Sequence, residues 1–444
     1  MEKLNVSSDF INPVVSKDWN RRSFLTNAGK GILATGFATG MLYSNTSAAQ
    51  SDSSKTPLPD PSPIKLSSLD DPSEQEKPPV PTFSKPDNRI GYAVIGLGHL
   101  TLNQILPAIV QCKKAKLVAL VSGDAEKAAN VATQYGLNPK NIYNYQNYDT
   151  IKDNKEVQAV YIVLPNGMHE EYVIRSAKAG KHVLCEKPMA NSSKEAQNMI
   201  DACKKANVKL MIAYRIQYEP KNKFVKDWVR NKEKGNTKLI EAVNTQNVGD
   251  PTQWRLNKKL AGGGSLPDIG LYCLNTCRYV LGEEPLWVKA TTYSTPNDPR
   301  FKEVEETVLW QMGFPSGALA NCSTSYGVHE TRRYRCVTDK GAWMGLDPAF
   351  PYKGLMVEGE YAEGKNVFKH YPAIPDKDQF APQMDHFAEC IQNNQTPYTP
   401  GEEGLQDQKI MEAIYQSARE GKRVDLERID KLDSFRGTSP KNEE

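Results

Sequence analysis

The feature that most constrains this chain is a repeated strand–turn–helix alternation between residues 89 and 216. Arg89-Ile90-Gly91-Tyr92-Ala93-Val94-Ile95 reads as a buried strand, Gly96 to Thr101 as a turn, and residues 102–110 as a helix. Strands follow at 117–121, 157–164, 182–185 and 209–213, with helices at 124–135, 170–179 and 193–206 between them. Repeated units of this kind require a parallel sheet with helices on both faces, and ligands then lie off the carboxyl ends of the strands. Gly96, Ser122, Asn166, Lys187 and Arg215 all fall at such ends.

The first turn, Gly96-Leu97-Gly98-His99-Leu100-Thr101, stands where a dinucleotide fingerprint stands, between a strand and a helix. Gly96 permits the tight turn, and Gly98 lets the backbone approach a pyrophosphate at the helix N-terminus. Thr101 occupies the place of the third glycine. At the end of the second strand, NAD-binding units place a carboxylate for the ribose 2′-hydroxyl. Ser122-Gly123 stands there instead, with Lys127 five residues on. A hydroxyl, backbone amides and an ammonium suit a 2′-phosphate, so the pattern favours NADP over NAD. Asp124 either supplies the carboxylate or caps the next helix.

Farther along, Trp254-Arg255 precedes Ala261-Gly262-Gly263-Gly264-Ser265-Leu266-Pro267-Asp268-Ile269-Gly270-Leu271-Tyr272. Three glycines allow the backbone a close approach to a ligand. If a helix starts near Pro267, Asp268 and Tyr272 project from one face. A phenol with an ordinary pKa of about 10 is too weak a base near neutrality unless an ammonium lowers it. Lys187 is the candidate ammonium. The roles read here are Tyr272 as acid/base, Lys187 as its cationic partner and sugar-hydroxyl ligand, and Asp268 as the group that orients a substrate. The bland alternative makes Asp268 a helix cap and Tyr272 a half-buried packing residue.

The N-terminal region carries a different message. Arg21-Arg22-Ser23-Phe24-Leu25 precedes a thirteen-residue apolar run at 31–43, rich in Gly, Ala and Thr. That run is short of the roughly 20 residues needed to span a bilayer. Ser47-Ala48-Ala49 supplies small residues for cleavage before Gln50. The whole resembles a twin-arginine export signal, which predicts the export machinery as a partner and a periplasmic location. Residues 56–88 hold nine prolines, so they form no regular element. They read either as a stiff spacer or, because Ile64, Leu66, Leu69, Val80 and Phe83 lie among the prolines, as an extended arm packed on a folded surface.

Bulk properties exclude other classes. A net charge of +3 over 444 residues gives no electrostatic reason to expect nucleic acid. The eight cysteines are sparse, and no His or Cys pairing completes a metal site, so they read as small buried hydrophobes. His169 is a candidate for touching the site. His182 and His386 read as packing residues, and residues 426–444 as a charged, solvated tail.

Gly-Leu-Gly-x-x-x-Leu-Asn-Gln-Ile-Leu-Pro at 96–107, Cys185-Glu186-Lys187-Pro188-Met189, the run at 262–272, Gly282-Glu283-Glu284-Pro285 and Pro400 to Asp407 together resemble the glucose–fructose oxidoreductase and inositol dehydrogenase family. The likeness spans about residues 90–425. It leans toward the glucose–fructose oxidoreductase branch, because the inositol-dehydrogenase relatives commonly carry His where Tyr272 stands. The resemblance implies an α/β protein: an N-terminal Rossmann domain, residues 89–216, and a C-terminal α/β domain, residues 217–425, with a large, mostly antiparallel sheet. Strands at 238–247, 287–293, 306–312 and 318–325 fit that sheet. Residues 1–49 would be the signal peptide and 50–88 an arm that clasps the cofactor or a neighbouring subunit.

It further implies a homo-oligomer, a dimer or tetramer, and small-molecule sugars as substrates. A tightly held NADP would be recycled by oxidising one sugar and reducing another. Lys187, Asp268 and Tyr272 would take the roles above, and Ser122, Lys127 and Tyr145 would hold the 2′-phosphate. The remaining cofactor-binding set is Gly96, Leu97, Gly98, His99, Leu100, Gly123, Leu164, Asn166, His169, Glu186, Lys187, Arg215, Trp254 and Arg255. Two departures stand out: His99 replaces a lysine, and Gln217 replaces a histidine expected near the sugar pocket. Two rivals remain: a dehydrogenase with exchangeable NADP acting on one sugar, and an exported sugar-binding or scaffold protein with a vestigial Rossmann site.

The twin-arginine route carries folded proteins, so a cofactor made in the cytoplasm travels inside the enzyme. An Arg21→Lys, Arg22→Lys variant should therefore accumulate uncleaved in the cytoplasm. Fractionation that finds it exported like the wild type would remove the twin-arginine reading.

Overall fold

A computed structural model of the chain describes residues 88–440. The leader read at 1–49, most of the proline-rich stretch at 50–88 and the last four residues lie outside the described part.

The first sheet has six parallel strands: β1 (Ile90–Ile95), β2 (Ala115–Val121), β3 (Ile142–Tyr143), β4 (Ala159–Ile162), β5 (His182–Glu186) and β6 (Leu210–Ala213). Their order is β3-β2-β1-β4-β5-β6, that of a dinucleotide-binding sheet. β1, β4 and β6 are buried along their whole length, as strands covered on both faces must be. The connecting helices are α1 (Leu106–Gln111), α2 (Ala125–Gln134), α3 (His169–Lys178) and α4 (Ser193–Lys205). The helix expected at 102–110 begins instead as a π-turn over Thr101–Ile105. Strand β3 escaped the sequence reading because two residues carry no periodicity.

After α5 (Pro220–Asn231) the chain builds a nine-stranded sheet. Its strands are β7 (Thr237–Asn247), β8 (Trp287–Tyr293), β9 (Thr307–Gly313), β10 (Leu319–Ser325), β11 (Gly327–Thr338), β12 (Ala342–Leu346), β13 (Val357–Glu363), β14 (Asn366–His370) and β15 (Val424–Asp425). Only the β7–β10 pair is parallel. On β9, Val308, Trp310 and Met312 point inward while Leu309 and Gln311 point out, the alternation of a sheet covered on one face. Helices α6 (Lys258–Ala261) and α7 (Leu271–Leu281) lie between β7 and β8 in the chain, and α7 packs on the covered face.

Two later helices, α8 (Phe380–Gln392) and α9 (Gly401–Glu420), return to the first sheet. The Tyr92 hydroxyl donates to the Met384 carbonyl at 3.0 Å. Asp385 accepts from the amides of Lys113, Lys114 and Ala115 at 2.8, 2.7 and 3.1 Å. The parallel sheet is thus finished by chain from beyond the second sheet. Among the described residues no helix is long and apolar enough to cross a membrane. All eight cysteines are buried.

Two expectations are corrected. The stretch 426–444 is a solvated tail only in part: residues 427, 428 and 430–432 are exposed, but Asp433 pairs with Arg230 at 2.6 Å, and the Arg436 side chain, 1% accessible, pairs with Glu403 at 2.7 Å. Gln217, expected near the sugar pocket, points into the protein interior. It is fully buried, and its amide donates to Asn275 Oδ1 at 2.7 Å, within a network that links Asn275 to Glu403 and Asp407.

His182 and His386 are structural, and each accepts a backbone amide, from Lys209 and Tyr398, at 3.0 Å. Burial pushes both down to about 4; Lys209 adds to this at His182, while Glu389 opposes it at His386. Below the ordinary value of about 6.5 the unfolded chain takes up protons that the native state refuses. Stability should therefore fall as pH drops from about 6.5 toward 4. In a His182→Gln, His386→Gln variant the fall in Tm over that window should be shallower; an unchanged slope would contradict the assignment.

Candidate active site

The cofactor half of the site is made where β1 and β2 end. Gly96 has φ +94°, and a Cβ there would meet the Val163 carbonyl at 2.2 Å, so no other residue fits. Thr101, in the third-glycine place, is fully buried, and its hydroxyl donates to the Gly96 carbonyl at 2.6 Å. The threonine thus ties down the loop that a glycine would leave loose. Leu97, His99 and Leu100 follow on the same turn, Leu97 buried and the other two half-buried.

At the end of β2, Asp124 caps α2 by accepting from the Lys127 amide at 2.9 Å. That bond, together with the Lys127 ammonium 3.6 Å away, holds the exposed carboxyl below its ordinary range. Of the two readings of Asp124, the cap is the one the geometry carries. Ser122 is buried and accepts from the Asp124 amide at 3.1 Å. The Tyr145 ring lies over Gly123, where a Cβ would sit 3.0 Å from it. Ser122, Gly123, Lys127 and Tyr145 therefore gather at one strand end.

The other half gathers on Lys187, directly after β5. Its ammonium donates to the Asp268 carbonyl at 2.8 Å and to Asp268 Oδ1 at 3.1 Å. It also sits 4.7 Å from the centre of the Tyr272 ring. Burial works against the charge, but Tyr272, Asp268 and Glu186 outweigh it and raise the Lys187 pKa. Asp268 and Tyr272 do converge, although not on a plain helix: Leu266–Gly270 is a π-turn leading into α7.

The structure changes several roles. Asp268 was expected to orient a substrate, yet its oxygens are taken by protein. Besides Lys187, it accepts from Arg255 Nε at 3.0 Å and from the Tyr326 hydroxyl at 2.6 Å. Burial opposes its charge, but Lys187, Arg255 and Tyr326 hold it well below the usual carboxylate range. Arg215, read as a cofactor ligand, lies with its guanidinium 5.0 Å from the Tyr272 ring centre and 4.5 Å from that of Tyr352. It donates to the Phe350 carbonyl at 2.6 Å and to Gln379. Tyr272 therefore has two cations beside it.

His169 is a brace rather than a contact group. It is fully buried, with Nε2 2.9 Å from the Leu164 carbonyl and Nδ1 3.0 Å from that of Pro188, and burial lowers its pKa. Asn166 is likewise committed, donating to the Ala261 carbonyl at 2.8 Å. Glu186 accepts from the Tyr161 hydroxyl at 2.7 Å, and burial raises its carboxyl. Trp254 is half-buried under the Arg255 guanidinium, 4.8 Å from its ring centre. Tyr326 and Glu305, which accepts from the Gly264 amide at 2.9 Å, were missed from sequence. Both are far from Asp268 in the chain, and neither stands in a local motif.

The fold and this constellation define an oxidoreductase. Residues 90–214 match the model of the oxidoreductase family with an NAD-binding Rossmann fold, and residues 234–426 match that family's C-terminal alpha/beta domain. The chain belongs to this GFO/IDH/MocA oxidoreductase family. It is 32% identical over 347 residues to D-xylose 1-dehydrogenase [NADP(+)] of Haloarcula marismortui, covering 77% of this chain and 94% of the relative. The aldose-aldose oxidoreductase from Caulobacter crescentus, solved with glycerol, is 43% identical, with a TM-score of 0.73 over 76% of this chain and all of that one. KijD10, a 3-ketoreductase from Actinomadura kijaniata solved with NADP and TDP-benzene, shares the fold at 21% identity and a TM-score of 0.65, covering 74% of this chain and 98% of that one.

Removing the Tyr326 hydroxyl tests the Asp268 arrangement. A hydrogen bond to a charged group contributes about 1.5–3 kcal/mol, so Tyr326→Phe should lower kcat/KM about tenfold or more. Steady-state turnover equal to wild type would show that Asp268 does not need this donor.

Proposed function

We propose that the chain is an NADP-dependent sugar oxidoreductase that holds its cofactor through turnover, oxidising an aldose and reducing a second sugar. The observation that carries this reading is the convergence of Lys187, Asp268 and Tyr272 beside the strand ends. The donor set after β2 fits NADP: a buried hydroxyl and an ammonium, with the nearby carboxylate occupied by its own helix. Ser122, Lys127 and Tyr145 would hold the 2′-phosphate, and the Gly96–Thr101 turn the pyrophosphate. When bound, NADP supplies the hydride acceptor for one sugar and the donor for the next.

The chain's residues handle the proton. Tyr272 takes it from the hydroxyl of the sugar being oxidised, as hydride leaves the same carbon and a lactone results. Tyr272 then returns it to the carbonyl oxygen of the second sugar as hydride arrives there. Lys187 faces the phenol and binds the reacting oxygen, Asp268 fixes Lys187, and Arg215 backs the ring from another side. Glucose with fructose is one candidate pair, giving gluconolactone and sorbitol. The likeness to the aldose-aldose oxidoreductase from Caulobacter crescentus supports an aldose as second sugar also. The likeness of residues 1–49 to a twin-arginine signal supports a periplasmic location, where a retained and recycled cofactor would be a necessity. A homo-oligomer formed through the open face of the nine-stranded sheet completes the proposal; Leu309 and Leu319 lie exposed there, each 49% accessible.

The haloarchaeal relative's name supports the alternative of an exchangeable NADP. Extensive dialysis followed by denaturation separates the two, since retention predicts near-stoichiometric NADP in the supernatant. The second test is Tyr272→Phe, which should keep the bound NADP and lower sugar-dependent hydride transfer about 10²–10⁴-fold. Wild-type protein inert toward every sugar would leave a binding module.

A further inference from the structure

We infer that Glu305 is a positioning residue for the Lys187–Asp268–Tyr272 site, acting through the glycine loop; this rests on the reading of that site as the hydride-transfer centre. Glu305 lies just before β9, outside every motif that the sequence offers. Its half-buried side chain accepts from the Gly264 amide at 2.9 Å and the Leu266 amide at 3.1 Å. The Tyr415 hydroxyl, from α9, donates to the same carboxylate at 2.9 Å. All three partners are donors, so the position calls for a group that only accepts. A glutamine would set its own N–H groups against one of them.

The contact is close along the whole loop. A Cβ at Gly264 would lie 1.9 Å from the Glu305 carbonyl, and one at Gly263 would lie 2.1 Å from the Tyr415 hydroxyl. The glycines therefore let the loop lie against this clasp. Leu266, held by Glu305, opens the π-turn that carries Asp268 and leads to Tyr272. The neighbouring Glu306 acts on the other side of Asp268. Its carbonyl accepts from the Tyr326 amide at 2.9 Å, and the Tyr326 hydroxyl donates to Asp268 at 2.6 Å. One dipeptide thus fixes both the backbone under Asp268 and the hydroxyl upon it.

A loop displaced by about 1 Å costs an enzyme of this kind a large part of its rate. In the full chain, Glu305→Gln should bind as much NADP as wild type, because the donors read for the pyrophosphate and the 2′-phosphate lie at the strand ends of the first sheet. Its kcat with an accepted aldose should fall about tenfold or more. The primary isotope effect with the C1-deuterated aldose should rise as the hydride step slows, and amide exchange in residues 262–268 should quicken. A purely structural role would quicken that exchange and leave kcat per bound NADP and the isotope effect unchanged. Asp385→Asn, which weakens a similar clasp remote from the site, serves as the control: it should lower Tm and leave turnover per bound NADP unchanged.

Should Glu305→Gln fail to fold, Tyr415→Phe removes one donor, keeps both amide bonds, and should show the same pattern with a several-fold smaller loss. Turnover per bound NADP and isotope effect equal to wild type, in whichever variant folds, would overturn the inference alone. A wild-type protein that binds NADP yet turns over no sugar would overturn the hydride-transfer reading, and the catalytic part of this inference with it.

Discussion

The half-buried carboxylate of Asp268 is the contact on which the two halves of this protein depend. It meets a lysine from the first sheet, an arginine from the turn before the glycine loop, and a tyrosine from the end of β10. A charge drawn away from water is tolerable only when its partners replace the solvent. Here two cations and a hydroxyl share two oxygens. The residue that could have been a free ligand for a substrate is instead the fixed point that aims Lys187 at Tyr272.

Behind it, the helix that carries Tyr272 is held at its far end by a second charged cluster. Arg278, fully buried on α7, meets Glu284 at 2.7 Å, Glu403 at 2.8 Å and Asp407 at 2.5 Å. Arg436 adds its charge to Glu403, so α7, α9 and the C-terminal segment close on one another. Burial pushes Asp407 up to about 6, with Glu403 adding to it and Arg278 pulling back. Tyr272 therefore stands on a helix anchored at its start by Glu305 and along its length by Arg278.

Much of the first sheet was legible because each parallel strand is buried on both faces and each turn carries its own punctuation. Gly96, Gly136 and Gly180 mark turns at positive φ, as a reading of local preference expects. The strands β7 to β10 were anticipated through the family resemblance, which implied a second sheet that those stretches fit. Strands β11 to β14 were not anticipated: β11 joins the sheet through the distant β7, the others follow it strand by strand, and β14 is exposed along its whole length, so it shows no buried alternation. Both π-turns, at Thr101–Ile105 and Leu266–Gly270, also escaped notice. A π-turn differs from a helix by one residue per turn, and no short-range pattern records it.

By itself the sequence determined the order of strands and turns, the glycine positions that only glycine fits, and the residue types that meet at the strand ends. Those follow from backbone sterics and burial, which act over a few residues. The tertiary structure alone decided what each side chain does there. It turned Asp268 from a substrate ligand into the anchor of Lys187, and His169 from a candidate ligand into a brace. It put Gln217 into a buried network with Asn275, about one turn along α7 from Tyr272. It brought in Tyr326 and Glu305 from distant strands. Such roles depend on which donors and acceptors arrive from elsewhere to replace water, and only the completed packing settles that.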